Sequence, residues 1–329
     1  MDISKNSLSP LPRFFQSFLR QPVFRGVFHW FVRKYFIPFP FIFVAFFLLI
    51  AGFSSSAAVE NQNSSSYSCG EKHFLWKVSK GSSSVWVLGS IHMADSSFYP
   101  LPSVIDSAFS ASDALVVEMD VTDEDVSAAT MNLALQQGVL PKGKSLKEMI
   151  SEKTWNRLDS LAGEWNIPVS RFAAFRPWMV AMQVSAIAVQ KAGILPEWGI
   201  DYVLLDRASE SGKAILGLET PADQIGVFSE ESDSLGSVYL EKTLDEAAKI
   251  DSMVFSITRA WKCGDIPRMR SVLNSDSAED RNKVMAQGID SLVNAGTRAF
   301  VVVGAAHLIM DEKNVLQILT RKGYTVKQF

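Results

Sequence analysis

Val85-Trp86-Val87-Leu88-Gly89-Ser90-Ile91-His92 and Phe300-Val301-Val302-Val303-Gly304-Ala305-Ala306-His307 are two versions of one phrase, 215 positions apart: an apolar run, a glycine, two residues and a histidine. An apolar run of this length bounded by glycine reads as a buried strand, and the glycine permits a sharp exit from it. The histidine then stands just past the strand's carboxyl end, where ligand sites form in sheet-and-helix domains. Either copy alone is ordinary. The chain holds four histidines, His29 in a basic N-terminal arm and His73 near a linker, so the remaining two occupy equivalent points. That equivalence points to one shared site.

Outward from this pair, Ala114 to Val117, Ala214 to Leu218 and Tyr324 to Lys327 read as further short strands, alongside Val85 to Leu88 and Ala299 to Val303. Helices are signalled between them. Thr122 caps 123 to 137, Ser145 with Glu148 forms a capping box, and Pro177 opens a long apolar helix that Gly193 ends. Ser277 with Asp280, Asp311 to Gly323, and the stretch 232 to 262 complete the helical set. The apolar face of Trp178, Met179, Met182 and Val184 reads as core. The expected fold is α+β, a mixed α/β domain whose central sheet is flanked by helices.

The N-terminus is a different material. Thirteen of the 22 phenylalanines fall in the first 53 positions. Residues 1–35 form an arm with six basic side chains against Asp2, a balance of +5 that leaves the rest of the chain at -8 for a total of -3. Residues 36–53 (FIPFPFIFVAFFLLIAGF) carry no charge and would span roughly 27 Å as a helix, just enough to cross a bilayer. Basic charge before the run places the N-terminus in the cytoplasm and exports the remainder of the chain, with the run as a transmembrane anchor or as a signal cleaved after Ser54 to Ala58. Residues 54–69 are a Ser-rich linker, and 70–329 form the exported domain, periplasmic, secreted or tethered to the membrane. Cys69 and Cys263 are the two cysteines, and their pairing stays open.

Two carboxylates come after strands as the histidines do. Glu118 ends Ala114-Leu115-Val116-Val117, and Glu219 ends Ile215-Leu216-Gly217-Leu218. A carboxylate there is costly to desolvate unless it is paired, capped or metal-bound. Two imidazoles with one or two carboxylates suit Mn, Co or Zn with a position open for water. HExxH, GxSxG and P-loop motifs are absent from the sequence, which removes the commonest hydrolase and nucleotide-binding routes.

At these residues the chain resembles the TraB/GumN family, which includes the Tiki metalloproteases and is distantly similar to erythromycin-esterase-like and ChaN-like proteins. The resemblance rests on FLWKVSKGSSSVWVLGSIH (74–92), PLPSVIDSAFSASDALVVEMD (100–120), WGIDYVLLDRA (198–208), GLETPADQI (217–225), EDRNKVMA (279–286) and VVVGAAHLIMDEKNVLQILTRKGYTV (301–326). It maps the family's two GxxH motifs onto Gly89 to His92 and Gly304 to His307, its acidic residue onto Glu118, and its Arg-Asn pair onto Arg281 and Asn282. It implies a mixed domain with a central sheet and, in Tiki-type members, metal-dependent peptide cleavage.

The expected reactive set is therefore His92, Glu118 and His307, on a divalent metal, with Arg281 and Asn282 orienting a carboxylate or substrate carbonyl. Glu219, Asp201 and Arg176 are lesser candidates: a cap or ion pair, a cap or partner of a ligand, and a holder of a substrate carboxylate. The expected partners are a peptide or small-molecule substrate and, through the N-terminal segment, a membrane. No nucleic acid is expected. Two rival readings are a non-catalytic protein that sequesters a peptide or other ligand, and a metal-free esterase-like enzyme with His92 as base and Glu118 as its partner.

Overall fold

The computed structural model describes residues 69, 71–229, 232–273, 278–310 and 312–329. The arm, the apolar run and the linker up to residue 68 lie outside the described residues, as do Ser277 and Asp311, and so do the expectations placed on them. Among the described residues no helix is long and apolar enough to cross a membrane.

Six strands form one sheet: β1 (Leu75–Lys80), β2 (Ser83–Ser90), β3 (Ala114–Val117), β4 (Ala214–Gly217), β5 (Ala299–Gly304) and β6 (Thr325–Gln328), in the order β4-β3-β5-β2-β1-β6. β4, β3, β5 and β2 run parallel, while β1 is antiparallel to both its neighbours, β2 and β6. Every residue of β5 is buried, as expected for a β-branched run at the centre of a parallel block. β5 fills the place between β2 and β3, pairing Leu88 with Val302 on one side and Val117 with Val302 on the other. The three strands that precede His92, Glu118 and His307 are therefore neighbours with their carboxyl ends together.

Two apolar cores support this arrangement. One surrounds the sheet, with Phe74, Leu88, Leu115 and Phe300 fully buried beside Ile105, Ile200, Ile289 and Leu319 from the flanking helices. The second is helical and centres on Pro177–Lys191, a helix buried nearly all round. One side of it meets Ala134, Ile225 and Phe228; another meets Leu146, Leu158, Phe172, Leu240 and Leu244. The face of Trp178, Met179, Met182 and Val184 is core.

Several local expectations change. Strand β1 is additional: Lys77 and Lys80 interrupt its apolar pattern, but their ammonium groups sit over the Trp86 and Tyr324 rings, so the strand stays compatible with the sheet. Asp123, not Thr122, caps the helix Glu124–Gly138, because the Thr122 hydroxyl donates to Asp120 instead. The stretch 232 to 262 is two helices, Asp233–Ala247 and Ile250–Lys262. The last helix is Val315–Arg321, capped by Asn314, whose side chain accepts from Gln317 N–H. Cys69 and Cys263 are joined in a disulfide.

Candidate active site at the carboxyl edge of the sheet

His92 stands two residues beyond β2, and its position is fixed from the segment that precedes helix Ile200–Glu210. Ala94 and Leu195 exchange backbone hydrogen bonds, and Ile200 N–H donates to Ile91 O at 3.0 Å. Gly199 lies so close to this loop that a Cβ there would meet His92 O at 2.1 Å, so only glycine permits the approach. Asp201, in the helix's first turn, then reaches the imidazole: its Oδ2 is 2.8 Å from His92 Nδ1, and its Oδ1 accepts from Ser90 Oγ at 2.7 Å. Asp201 is thus the partner of His92 and not the cap, which is Gly199.

Glu118 comes directly after β3 and is buried. Its Oε1 accepts from Gly304 N–H at 2.6 Å, and its Oε2 from Arg281 Nη2 at 3.1 Å. Glu219, beyond β4, accepts from Arg281 Nε and Nη2, both at 2.7 Å, in a two-pronged pair. An arginine one turn into a helix is ordinarily solvated. Arg281 instead lies 11% exposed between carboxylates that are 4% and 1% exposed. Glu219 N–H also donates to Glu118 O at 2.8 Å, which ties the two strand exits together.

The next residue along the same helix, Glu279–Asn294, sets the second histidine. Asn282 donates through Nδ2 to Lys313 O at 3.2 Å, so its Oδ1 must face His307 Nδ1, 2.7 Å away. An amide oxygen only accepts, so His307 carries its proton on Nδ1 and its lone pair on Nε2. That Nε2 is buried without a hydrogen-bond partner, 3.9 Å from Glu118 Oε1. His307 itself sits in the short helix Ala305–Ile309 directly after β5, so the second Gly-x-x-His stretch turns into a helix whereas the first stays a loop.

A model of the TraB/PrgY/gumN family matches residues 74–328, the span that carries all of these side chains. The chain belongs to the TraB/PrgY/gumN family. It is 32% identical over 184 residues to the uncharacterized protein YbaP of Escherichia coli strain K12, and equally to that of Shigella flexneri. The matched stretch is 52% of this chain and 66% of each relative, so the chain spans just under two thirds of the curated relatives it matches. No solved structure matches it.

In this TraB/PrgY/gumN chain the two histidines have opposite electrostatics. Burial works against a charge on His92, but Asp201 outweighs it and Glu118 adds to the effect, so the imidazole pKa rises to about 9. Burial and then the Arg281 charge push His307 down to about 3, which keeps it neutral. Burial also works against the Arg281 charge, yet Glu219 and Glu118 hold its pKa above the ordinary guanidinium value.

Among the described residues no three His, Cys, Asp or Glu side chains stand ready as a cation cage. The donor chemistry nonetheless fits a divalent ion. Each histidine is anchored through Nδ1, on Asp201 or Asn282, as ligating imidazoles are. His307 Nε2 and Glu118 Oε1 lie 3.9 Å apart, and these two donors would hold the ion between them. The remaining lone pairs of Glu118 leave it free to accept beside its existing bonds.

Arg176 is not among the side chains joined in this set; its guanidinium is paired with Asp233 at 2.6 Å. Glu118 is not the partner of His92, as the metal-free reading had it; that place is taken by Asp201. The residues that sequence reasoning missed are supports: Ser90 and Gly199 around His92, and the Gly304 N–H on Glu118. Ser90 and Gly304 both lie within the quoted phrases, but only the strand register, which pairs them across β2 and β5, shows that they meet.

Proposed function

We propose that this TraB/PrgY/gumN protein is an exported metal-dependent hydrolase that acts on peptides, with His92, His307 and Glu118 as its reactive set. The observation that carries the reading is the buried lone pair on His307 Nε2. A buried acceptor without a partner costs roughly 1–3 kcal/mol, and a bound cation removes that cost. Family membership and the Asp201 anchor on His92 support it.

When bound, a divalent cation acidifies a water and polarises a substrate carbonyl. The chain's own residues do the rest. Asn282 keeps the His307 lone pair directed inward, and Asp201 holds the His92 ring in place. Arg281 fixes Oε2 of Glu118, which leaves the carboxylate aligned to take a proton from the attacking water.

The test is metal stoichiometry by elemental analysis, with thermal shift in Mn, Co and Zn, on wild type, His92→Ala and His307→Ala, alongside peptide turnover. Wild type should take up one ion and gain stability, and either variant should lose both. A wild type that takes up no metal yet cleaves peptide would replace this reading with a metal-free one, in which the His92–Asp201 pair supplies the proton. Tight peptide binding without turnover under any metal would make the protein a sequestering one.

A further inference from the structure

His92 and His307 leave the sheet from neighbouring strands, and their exits are pressed together. A Cβ on Gly89 would meet Ala305 Cα at 3.2 Å and Leu308 Cδ1 at 3.3 Å, so the first exit packs on the short helix that carries His307. One stretch of chain holds both exits from outside. The indole N–H of buried Trp261, near the end of helix Ile250–Lys262, donates to Gly89 O at 2.7 Å. Arg270, on the following helix Ile266–Val272, donates through Nε to Ile309 O at 2.5 Å. Ile309 is the last residue of the helix Ala305–Ile309, and the final carbonyls of a helix have no partner inside it, so this bond satisfies that end and fixes its direction.

The residue after Trp261 reaches the far end of the His92 loop. Lys262 Nζ donates to Ser97 Oγ at 2.7 Å and lies 5.0 Å from the centre of the Phe98 ring, which is 5.4 Å from that of Trp261. Gly89 and Ser97 stand on either side of His92, so two adjacent residues of one helix hold the loop before and after it. Asp265 makes the two helices one piece: its N–H donates to Ala260 O at 2.9 Å, and its Oδ1 accepts from Arg268 N–H at 3.0 Å. In the same bend Cys263 is bonded to Cys69, and a Cβ on Gly264 would collide with Lys72 O. The stretch is thus anchored at its bend, and each of its arms ends on a different histidine exit.

We propose that residues 250–272 are a clasp that sets the placement of His92 against His307, with Trp261 and Arg270 as its positioning residues. Each acts through a backbone carbonyl, three residues before His92 or two after His307, and neither touches the imidazoles themselves. With both bonds made, the two exits share one support and keep one spacing. With either bond lost, the support reaches a single exit. That the spacing serves a cation rests on the hydrolase reading above; the clasp does not.

The test compares full-length wild type with Trp261→Phe, Arg270→Met, the double variant and Arg270→Lys, all with isotope-labelled histidine rings for magnetic resonance. In chelator, Trp261→Phe should shift the His307 ring resonances and Arg270→Met those of His92, each on the exit that the substitution does not touch. Arg270→Lys keeps the charge and a donor, and should recover part of that shift. Cobalt titration followed by visible absorption then reads the site itself. Each single variant should weaken cobalt binding about two- to tenfold, the scale of one hydrogen bond. The double variant should bind no more weakly than the worse single one, because a clasp open at one end no longer joins the exits. Far-side resonances that stay in place, or single losses that add in the double variant, overturn the proposal. A lowered unfolding midpoint with both readouts unchanged makes the two side chains core supports and also overturns it. Arg270 is exposed, so its variants decide the matter if Trp261→Phe does not fold. A wild type that takes up no cobalt defeats the hydrolase reading and leaves the resonance test standing, so the two failures are distinct.

Discussion

Replacing Arg281 with Met keeps the aliphatic stem and removes the guanidinium, which leaves two carboxylates that are 4% and 1% exposed without their counter-charge. Removing one partner from a buried ion pair costs roughly 3–5 kcal/mol. Here one cation serves two anions through three hydrogen bonds, and each anion keeps one further donor that carries no charge, Gly304 N–H on Glu118 and Gln224 Nε2 at 3.3 Å on Glu219. The upper end of that range, about 5 kcal/mol, is expected. For a domain of this size that lowers the melting temperature by roughly 10–20 °C. Urea unfolding monitored by circular dichroism, in chelator, reads the change as a lower midpoint with an unchanged slope. The companion Arg281→Met with Glu219→Gln removes the more buried stranded charge and should recover about half of the loss, a coupling that independent sites would not show. A loss under about 1 kcal/mol, or a companion with no recovery, would refute the view that Arg281 holds the two strand exits together.

The same geometry sets four further outcomes. Asn282→Leu releases the His307 ring and should weaken metal affinity about 10- to 100-fold by titration calorimetry, with the fold intact. In metal-free protein, His307 stays neutral in the folded state down to about pH 3 while the unfolded chain protonates near pH 6.5, so stability falls as the pH drops through that window, and His307→Gln should flatten the fall in an acid unfolding series. His92 has the opposite sign: the stability from its raised pKa is complete below pH 6.5 and is lost as the pH rises through about 9, a loss that Asp201→Asn should abolish. Cys69→Ser opens a loop with a sequence separation of 194, for which the chain-entropy relation gives about 5 kcal/mol, measurable as a denaturant midpoint shift between oxidised wild type and variant.

The parallel heart of the sheet was legible because its physics is local. Val301 to Val303 are buried on both faces, Val85 to Leu88 are buried apart from half-buried Trp86, and both runs are punctuated by glycine, so composition and turn chemistry suffice to find them. β1 was not legible in that way, since Lys77 and Lys80 are strand residues only once Trp86 and Tyr324 are beside them. The break between Ala247 and Ile250 has no glycine or proline to announce it. The site divides along the same line. His92, Glu118 and His307 could be named from position, but Glu219 read as a minor candidate because the residue that buries it lies 62 positions away. Asp201 read equally well as a cap, and only Gly199 against His92 O turns its side chain toward the ring. The tautomer of His307 depends on where Lys313 O lies, which no spacing rule contains.

The Cys69–Cys263 bond closes a covalent ring that holds β1 to β4, with His92, Glu118, Asp201 and Glu219 inside it, while Arg281, Asn282 and His307 hang on the tail beyond Cys263. A protease that cuts once between residues 70 and 262 would leave a single covalent molecule with every one of these groups still attached. One cut in the tail before residue 281 would instead part the anionic half of the site from the residues that complete it. Nicked protein of the first kind would migrate as intact chain until reduced, and the second kind would fall into two pieces without reductant, so the same number of broken peptide bonds has unequal consequences on the two sides of Cys263.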